Sequence, residues 1–360
     1  MIVFNNFTRQ YESIKNEIDN AVQNVLNKGW FILGDEGCQF ENEFANYIGV
    51  SYCVGVASGT DAITLSLMAL DIGNGDEVIT SNMTAYPTIT GIMRAGAIPV
   101  VVDISVKDGL IDWQKIEKKI NHKTKAIIPV HLYGQSCNMD PILQLADQNH
   151  LSIIEDCAQA AGATYKNKYV GSNGTCSAFS FYPTKNLGAY GDGGAITTND
   201  ENIYNKLLLL RNYGKKTGYE HTLNGVNSRL DELQAAILRV KLKYLKQWNE
   251  KRRQIAYFYQ QYLNTVECLV EHSYGQCVYH LFVVRTHKRD DLLMHLKRAK
   301  IQSLIHYPIP INKQKAYPYQ QNECFENTEL FADTILSLPI FPELNTDELK
   351  TIVKVINEFN

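Results

Sequence analysis

Between residues 50 and 156, short runs of β-branched residues alternate with helical patterns of ten or more residues. Nothing else in the chain limits the fold as much. The runs are Cys53 to Val56, Glu77 to Thr80, Ile98 to Val102, Ala126 to Val130 and Ser152 to Glu155. Parallel neighbours need crossover helices, so repeated strand, helix, strand predicts an α/β fold: a mostly parallel sheet with helices on both faces. Such a sheet gathers its ligand groups beyond the carboxyl ends of its strands. Two amphipathic stretches, Tyr11 to Asn27 and Gln39 to Tyr47, come first, and the loop from Gly29 to Gly37 between them carries Trp30 and Phe31. The alternation weakens after Phe181, where Ala195 to Thr198 reads as one more strand. A helix from about Leu230 to Leu263 then leads into short strands and helices that suggest a smaller α+β domain. The expected division is residues 1–245 for the large domain and 246–360 for the C-terminal one, with prolines gathered in loops between Pro308 and Pro342.

Composition excludes several classes of function. The 360 residues are 45% apolar, enough for a large core, and 35 basic against 38 acidic side chains leave no surplus to neutralise a nucleic-acid backbone. The densest positive run, Lys243 to Arg253, falls on the long helical stretch and reads as a solvated face. No run approaches ~18 apolar residues, and the first residues lack a basic segment followed by an apolar one. The expectation is a soluble, cytoplasmic protein with no membrane or nucleic-acid partner. Eight scattered cysteines without a C-x-x-C pair read as reduced thiols, and nine histidines give no H-E-x-x-H, so no metal site is expected.

Neither G-x-G-x-x-G after the first strand nor G-x-x-x-x-G-K-[ST] is present, so the usual dinucleotide and ATP cradles are missing. Gly188, Gly191, Gly193 and Gly194 precede a strand, not a helix, and fit a turn between strands better than a phosphate loop. The stretch Ala57-Ser58-Gly59-Thr60-Asp61-Ala62 leaves a strand and enters a helix, where free N–H groups and the helix dipole favour an anion. N-capping by Ser58 or Thr60 explains it equally well. Asp156 follows an apolar strand, and a carboxylate there needs a cation or donors, whether a capping or salt-bridge partner or a protonated pyridine nitrogen. Lys185 lies just beyond the run Ala178-Phe179-Ser180-Phe181, beside Tyr182 and Pro183, a setting that desolvates its amine and frees it for imine formation. A lysine, a carboxylate for a pyridinium nitrogen and a helix N-terminus for a phosphate are together the groups that hold pyridoxal 5′-phosphate.

At these residues the sequence resembles the DegT/StrS family of pyridoxal-phosphate-dependent nucleotide-sugar aminotransferases, whose fold is the aspartate-aminotransferase type, fold type I. The resemblance spans essentially the whole chain. It runs from Gly29-Trp30-Phe31-Ile32-Leu33-Gly34 through Val130-His131-Leu132-Tyr133-Gly134 and Glu155-Asp156-Cys157-Ala158-Gln159 to the Lys185 segment and Asn227-Ser228-Arg229-Leu230-Asp231-Glu232-Leu233-Gln234. It implies that Lys185 forms the imine with the cofactor and serves as general acid and base, and that Asp156 partners the pyridinium nitrogen. By the same likeness Gln159 donates to the pyridine hydroxyl, Gly59, Thr60 and Ser180 hold the phosphate, and Asn227 reaches the phosphate of a neighbouring subunit in a homodimer. Family members usually carry an aromatic residue directly after the Thr of this loop to stack on the ring. Here Thr84 is followed by Ala85 and then Tyr86, so either Ala85 covers the ring or Tyr86 is displaced into that role.

The resemblance also extends to substrate. Phe181 to Ala189 and Ile305-His306-Tyr307-Pro308 look like the branch that aminates carbon 3 of a dTDP-linked 3-keto-6-deoxyhexose, with glutamate as amino donor. Enzymes acting at carbon 4 more often have His or Asn where Tyr182 stands. Tyr182, Tyr190, His306 and Tyr307 become candidate sugar contacts, and Phe31 a contact donated in trans. Arg229 serves either the nucleotide phosphates across the interface or an ion pair with Asp231 or Glu232. Three rival readings are a 4-keto nucleotide-sugar aminotransferase, a sugar dehydratase, in which a histidine replaces the imine lysine, and a non-catalytic regulatory protein that binds the same cofactor.

Overall fold

The computed structural model describes residues 1–359, and in it the alternation becomes a seven-stranded sheet. The strands are β1 (Tyr52–Val56), β2 (Glu77–Ser81), β3 (Ile98–Val102), β4 (Thr124–Ile128), β5 (Ser152–Asp156), β6 (Cys176–Ser180) and β7 (Gly194–Thr198). Their order is β1-β7-β6-β5-β4-β2-β3, and only β7 is reversed, pairing antiparallel with both β1 and β6. The link from β6 to β7 holds no helix, so it returns the chain as a reversed strand without a parallel crossover.

Successive strand residues point to opposite faces, and here both faces are apolar, as burial under two helical layers requires. Ile79, Ile127, Ile153 and Phe179 share one core with Phe40 and Phe44 of helix α2 (Asp35–Ile48), which follows helix α1 (Phe7–Lys28). Their neighbours Val78, Ile128, Ile154 and Ala178 share the other with Leu65 and Leu67 of helix α3 (Gly59–Ala69). Apolar on nearly every side, α3 is buried along most of its length. Helix α4 (Tyr86–Arg94) follows β2, helix α5 (Met139–Gln148) lies between β4 and β5, and helix α6 (Glu201–Leu210) follows β7.

Helix α7 (Glu232–Tyr262) runs unbroken through the expected division after residue 245. Leu245 belongs to the large core, whereas Ile255, Ala256 and Tyr259 belong to a separate apolar cluster of the C-terminal part. That part is built on the antiparallel strands β8 (Glu267–Cys268), β9 (Phe282–Arg285) and β10 (Ile335–Leu338). The first residues also pack there, because Ile2 bridges Ile301 and lies with Val3 against this cluster. Among the described residues no helix is long and apolar enough to cross a membrane.

Candidate active site

The carboxyl ends of β1, β2, β4, β5 and β6 converge on one cavity of about 310 Å³, lined by Ser58, Gly59, Thr60, Ala85, Thr88, Val130, Asp156, Gln159, Ser180, Tyr182 and Lys185 among others. Because β7 is reversed, its beginning lies at the same edge and adds Gly193. Ser58 caps α3 in extended conformation, its Oγ accepting from the Asp61 N–H at 3.1 Å. The amides of Gly59 and Thr60 have no acceptor among the described residues, as the first turn of a helix dictates. Gly59 is required by packing, since a Cβ there would lie 2.8 Å from Ser180 Cβ. Gly194 presses against the same turn, where a Cβ would meet the carbonyl carbon of Ser58 at 2.4 Å. The glycines after Lys185 therefore seat the helix N-terminus against the sheet.

Adjacent acids on β5 separate by strand period into two environments. Glu155 is fully buried, and its carboxylate accepts from the N–H groups of Gly171, Asn173 and Gly174, the Ser177 hydroxyl, the Asn173 amide and His131 Nε2. His131 Nδ1 accepts from the Cys137 N–H, which leaves the ring hydrogen on Nε2 to donate to Glu155. Burial pushes the Glu155 carboxyl up, but the donors led by His131 outweigh it and hold it at about 2. The stability it contributes is complete above its ordinary value of 4.5 and is lost as pH falls toward about 2. His131, Glu155 and Cys157 lie close enough to suggest a metal site, yet these hydrogen bonds already use the carboxylate and both ring nitrogens. Glu155→Gln turns an amide donor onto a nest of donors, so it is expected to lower unfolding free energy by about 3 kcal/mol, read as a lower urea midpoint. An unchanged midpoint would show that the network carries no stability.

Asp156 points to the other face, into the cavity. Its Oδ2 accepts from Thr88 Oγ1 at 2.8 Å and its Oδ1 from the Ala158 N–H at 3.1 Å. Burial raises its carboxyl above the usual value, opposed by Thr88, the Ala158 N–H and the nearby Lys185 charge. Lys185 is partly buried on the turn after β6, its N–H donating to the Tyr182 carbonyl at 2.8 Å. The next residue anchors that turn: buried Asn186 donates to Asn249 Oδ1 of α7 at 2.8 Å and to the Val278 carbonyl at 3.0 Å. Among the described residues the Lys185 ammonium makes no ion pair, and burial lowers it to about 8 despite the attraction of Asp156.

Of the residues expected from sequence, Gly59, Thr60, Ala85, Asp156, Gln159, Ser180, Tyr182 and Lys185 line the cavity. Tyr182 lies at its mouth, 54% exposed. Ala85 and Tyr86 part in direction: Ala85 lines the cavity, whereas Tyr86 packs against a separate cluster of Ile89, Val101, Ile311 and Tyr317 and does not line it. Tyr190 packs against α1 and α7, with Lys241 Nζ 3.9 Å from its ring centre, and does not line the cavity. Tyr307 touches the site indirectly, its hydroxyl accepting from Gln159 Nε2 at 3.1 Å, while His306 Nδ1 pairs with Ser337 Oγ at 2.9 Å. Arg229 pairs with neither Asp231 nor Glu232. Its Nη1 donates to Asn212 Oδ1 at 2.8 Å, and Glu232 is taken by the N–H groups of Gly34, Glu36 and Gly37. Asn227 bridges Asn212 outside the cavity, and Phe31 is 46% exposed. The sequence reading missed Thr88, although the spacing Thr84-x-x-x-Thr88 at a helix start was visible.

The donor set fits pyridoxal phosphate. The free amides of Gly59 and Thr60 and the Ser180 hydroxyl suit a phosphate; the hydroxyl accepts from the Tyr182 N–H at 3.3 Å and keeps its own hydrogen to donate. A buried carboxylate pushed toward its neutral form gains from a cationic ring nitrogen beside it, and Lys185 shares the cavity. Gln159 Oε1 accepts from the Tyr133 N–H at 2.7 Å, which leaves one Nε2 hydrogen for a further acceptor.

Comparison with known proteins agrees with this geometry. The model of the DegT/DnrJ/EryC1/StrS aminotransferase family matches residues 12–357. A dTDP-3-amino-3,6-dideoxy-alpha-D-galactopyranose transaminase from Aneurinibacillus thermoaerophilus is 48% identical over 345 residues, 95% of each chain. The structure of DesV from S. venezuelae, solved with a ketimine intermediate, superposes with a TM-score of 0.96 at 40% identity, covering 100% of this chain and 98% of that one. NtdA from Bacillus subtilis, solved with bound cofactor PMP, gives a TM-score of 0.90 at 32% identity, with 96% of this chain and 81% of that one covered.

Proposed function

Because the chain belongs to the DegT/DnrJ/EryC1/StrS aminotransferase family and uses pyridoxal phosphate, we propose that it moves the amino group of glutamate to carbon 3 of a dTDP-linked 3-keto-6-deoxyhexose. The observation that carries this assignment is the 48% identity, over 95% of both chains, to a relative named for a dTDP-3-amino-3,6-dideoxy sugar. When bound, the cofactor supplies an aldehyde that takes up an amine and a ring that accepts electron density.

The protein's own residues divide the remaining work. Gly59, Thr60 and Ser180 would hold the phosphate and Gln159 the ring hydroxyl, while Asp156 keeps a negative charge facing the ring nitrogen. Lys185 would hold the cofactor covalently at rest. Its Nζ, lowered to about 8, is poised to take a proton from the carbon bearing the nitrogen and to return it. Tyr182, at the mouth of the cavity, would meet the sugar, and Tyr307, bonded to Gln159, would support it, with His306 next to Tyr307 in the chain. The exposed run Trp30, Phe31, Ile32 and Leu33 suits burial in a homodimer, in which Asn227 and Arg229 reach the neighbouring site and Phe31 is donated in trans.

A panel of dTDP-linked 3-keto and 4-keto sugars offered with glutamate tests the reading. The expected outcome is 2-oxoglutarate together with a product whose mass and NMR place the new amine on carbon 3. Amination confined to carbon 4 would overturn the substrate assignment and leave the cofactor chemistry standing.

A further inference from the structure

The two hydroxyls behind Asp156 form a chain whose direction the charge of Asp156 sets. Thr88 lies in the first turn of α4 and is 2% exposed, and its Oγ1 is 2.8 Å from both Asp156 Oδ2 and Thr84 Oγ1. An ionised carboxylate can only accept. With Asp156 ionised, the single hydrogen of Thr88 points at it, and the 2.8 Å bond between the threonines is donated by Thr84, whose other acceptor, the Ala85 carbonyl, lies farther off at 3.4 Å. In that arrangement the chain runs from Thr84 to Thr88 to Asp156, and each link polarises the next in buried surroundings.

Thr88 sits in the first turn of α4, where the residue four back, Thr84, precedes the helix. A threonine inside a helix ordinarily turns its hydroxyl to the carbonyl four residues back, as Thr64 does toward Thr60 and Thr90 toward Tyr86. Thr88 turns away from its own helix to the neighbouring strand end. The donor it supplies is the strongest of the groups that favour the charged form of Asp156 against burial, ahead of the Ala158 N–H, Lys185 and His131.

We propose that Thr84 and Thr88 are positioning residues: their ordered hydroxyls hold the Asp156 carboxylate as the weaker base, so that the proton lying between it and the cofactor rests on the ring nitrogen. This rests on the reading of Asp156 given above. A donated hydrogen bond withdraws charge from a carboxylate and lowers its affinity for a proton. Without it, a buried carboxylate beside the same nitrogen would keep the proton for itself.

The test reconstitutes wild type, Thr88→Val, Thr88→Ser and Thr84→Val with pyridoxal phosphate carrying ¹⁵N in the ring, and reads the nitrogen shift alongside kcat. The wild-type shift should lie in the protonated range. Thr88→Val should move it toward the unprotonated range and lower kcat roughly ten- to hundredfold, the loss of one hydrogen bond to a charged group. Thr88→Ser should restore both, and Thr84→Val should fall between. A protonated shift in Thr88→Val with wild-type kcat overturns the proposal. Should that variant fail to fold, Thr84→Val decides: a shift moved toward the unprotonated range supports the relay, and an unmoved one overturns it. An unprotonated wild-type nitrogen would instead overturn the reading of Asp156, and the relay with it.

Discussion

Lys185→Ala is expected to abolish amine transfer, lowering turnover by roughly 10⁴-fold or more, because in the proposed mechanism one side chain supplies both the covalent hold on the cofactor and the moving proton. The amine, and not the charge, is what matters. Lys185→Arg should be equally inactive, since a guanidinium stays protonated and cannot condense with an aldehyde. Glutamate-dependent 2-oxoglutarate formation measures both variants, and turnover in either above that of protein lacking cofactor would remove Lys185 from the mechanism. Its lowered pKa adds a pH dependence. Only the deprotonated amine reacts, so cofactor uptake by the apoprotein should accelerate as pH rises through about 8 and slow below it.

Asp156→Asn should leave the cofactor bound and lower kcat by about 10²–10³-fold. The proposed phosphate site, Gly59, Thr60 and Ser180, does not include residue 156, so affinity should fall little. What is lost is the negative charge that keeps the ring nitrogen protonated, and with it the stabilisation of charge that develops during proton removal. Asparagine has the same shape and can still accept from Thr88, so the comparison isolates charge from packing. Steady-state kinetics with cofactor occupancy determined by absorbance separates the two effects. Near-normal kcat at full occupancy would mean that Asp156 is structural.

The fold was legible in the sequence wherever period and polarity agreed. The strands from Cys53 to Glu155 appear within a residue or two, because short β-branched runs separated by helical patterns have few alternatives. The reversal of β7 was not legible, since direction depends on the link from β6 and leaves no mark within Ala195 to Thr198. In the site, residues whose backbone decides their place were readable: Gly59 at a helix start, and Asp156 and Ser180 at strand ends. Side chains whose direction is set by distant partners were not. Tyr86 and Ala85 are neighbours in the chain, and only the packing of Tyr86 against Tyr317 and Ile311 shows which of them faces the cavity. Tyr190 likewise packs against Lys241 and α1, a direction its sequence neighbours do not reveal. The buried network around Glu155 was not read from the sequence, since its donors, Gly171, Asn173, Gly174 and Ser177, lie far along the chain.

The central claim, that Lys185 carries the cofactor, has a competitor in the same chain. Lys241 is almost fully buried and lowered by burial to about 7, but its Nζ donates to the Gly188 carbonyl at 2.7 Å behind the loop and does not line the cavity. Borohydride reduction of the holoenzyme, followed by proteolysis and mass spectrometry, distinguishes the two directly. The pyridoxyl group is expected on the peptide containing Lys185 alone; finding it on Lys241 or any other lysine would contradict the account.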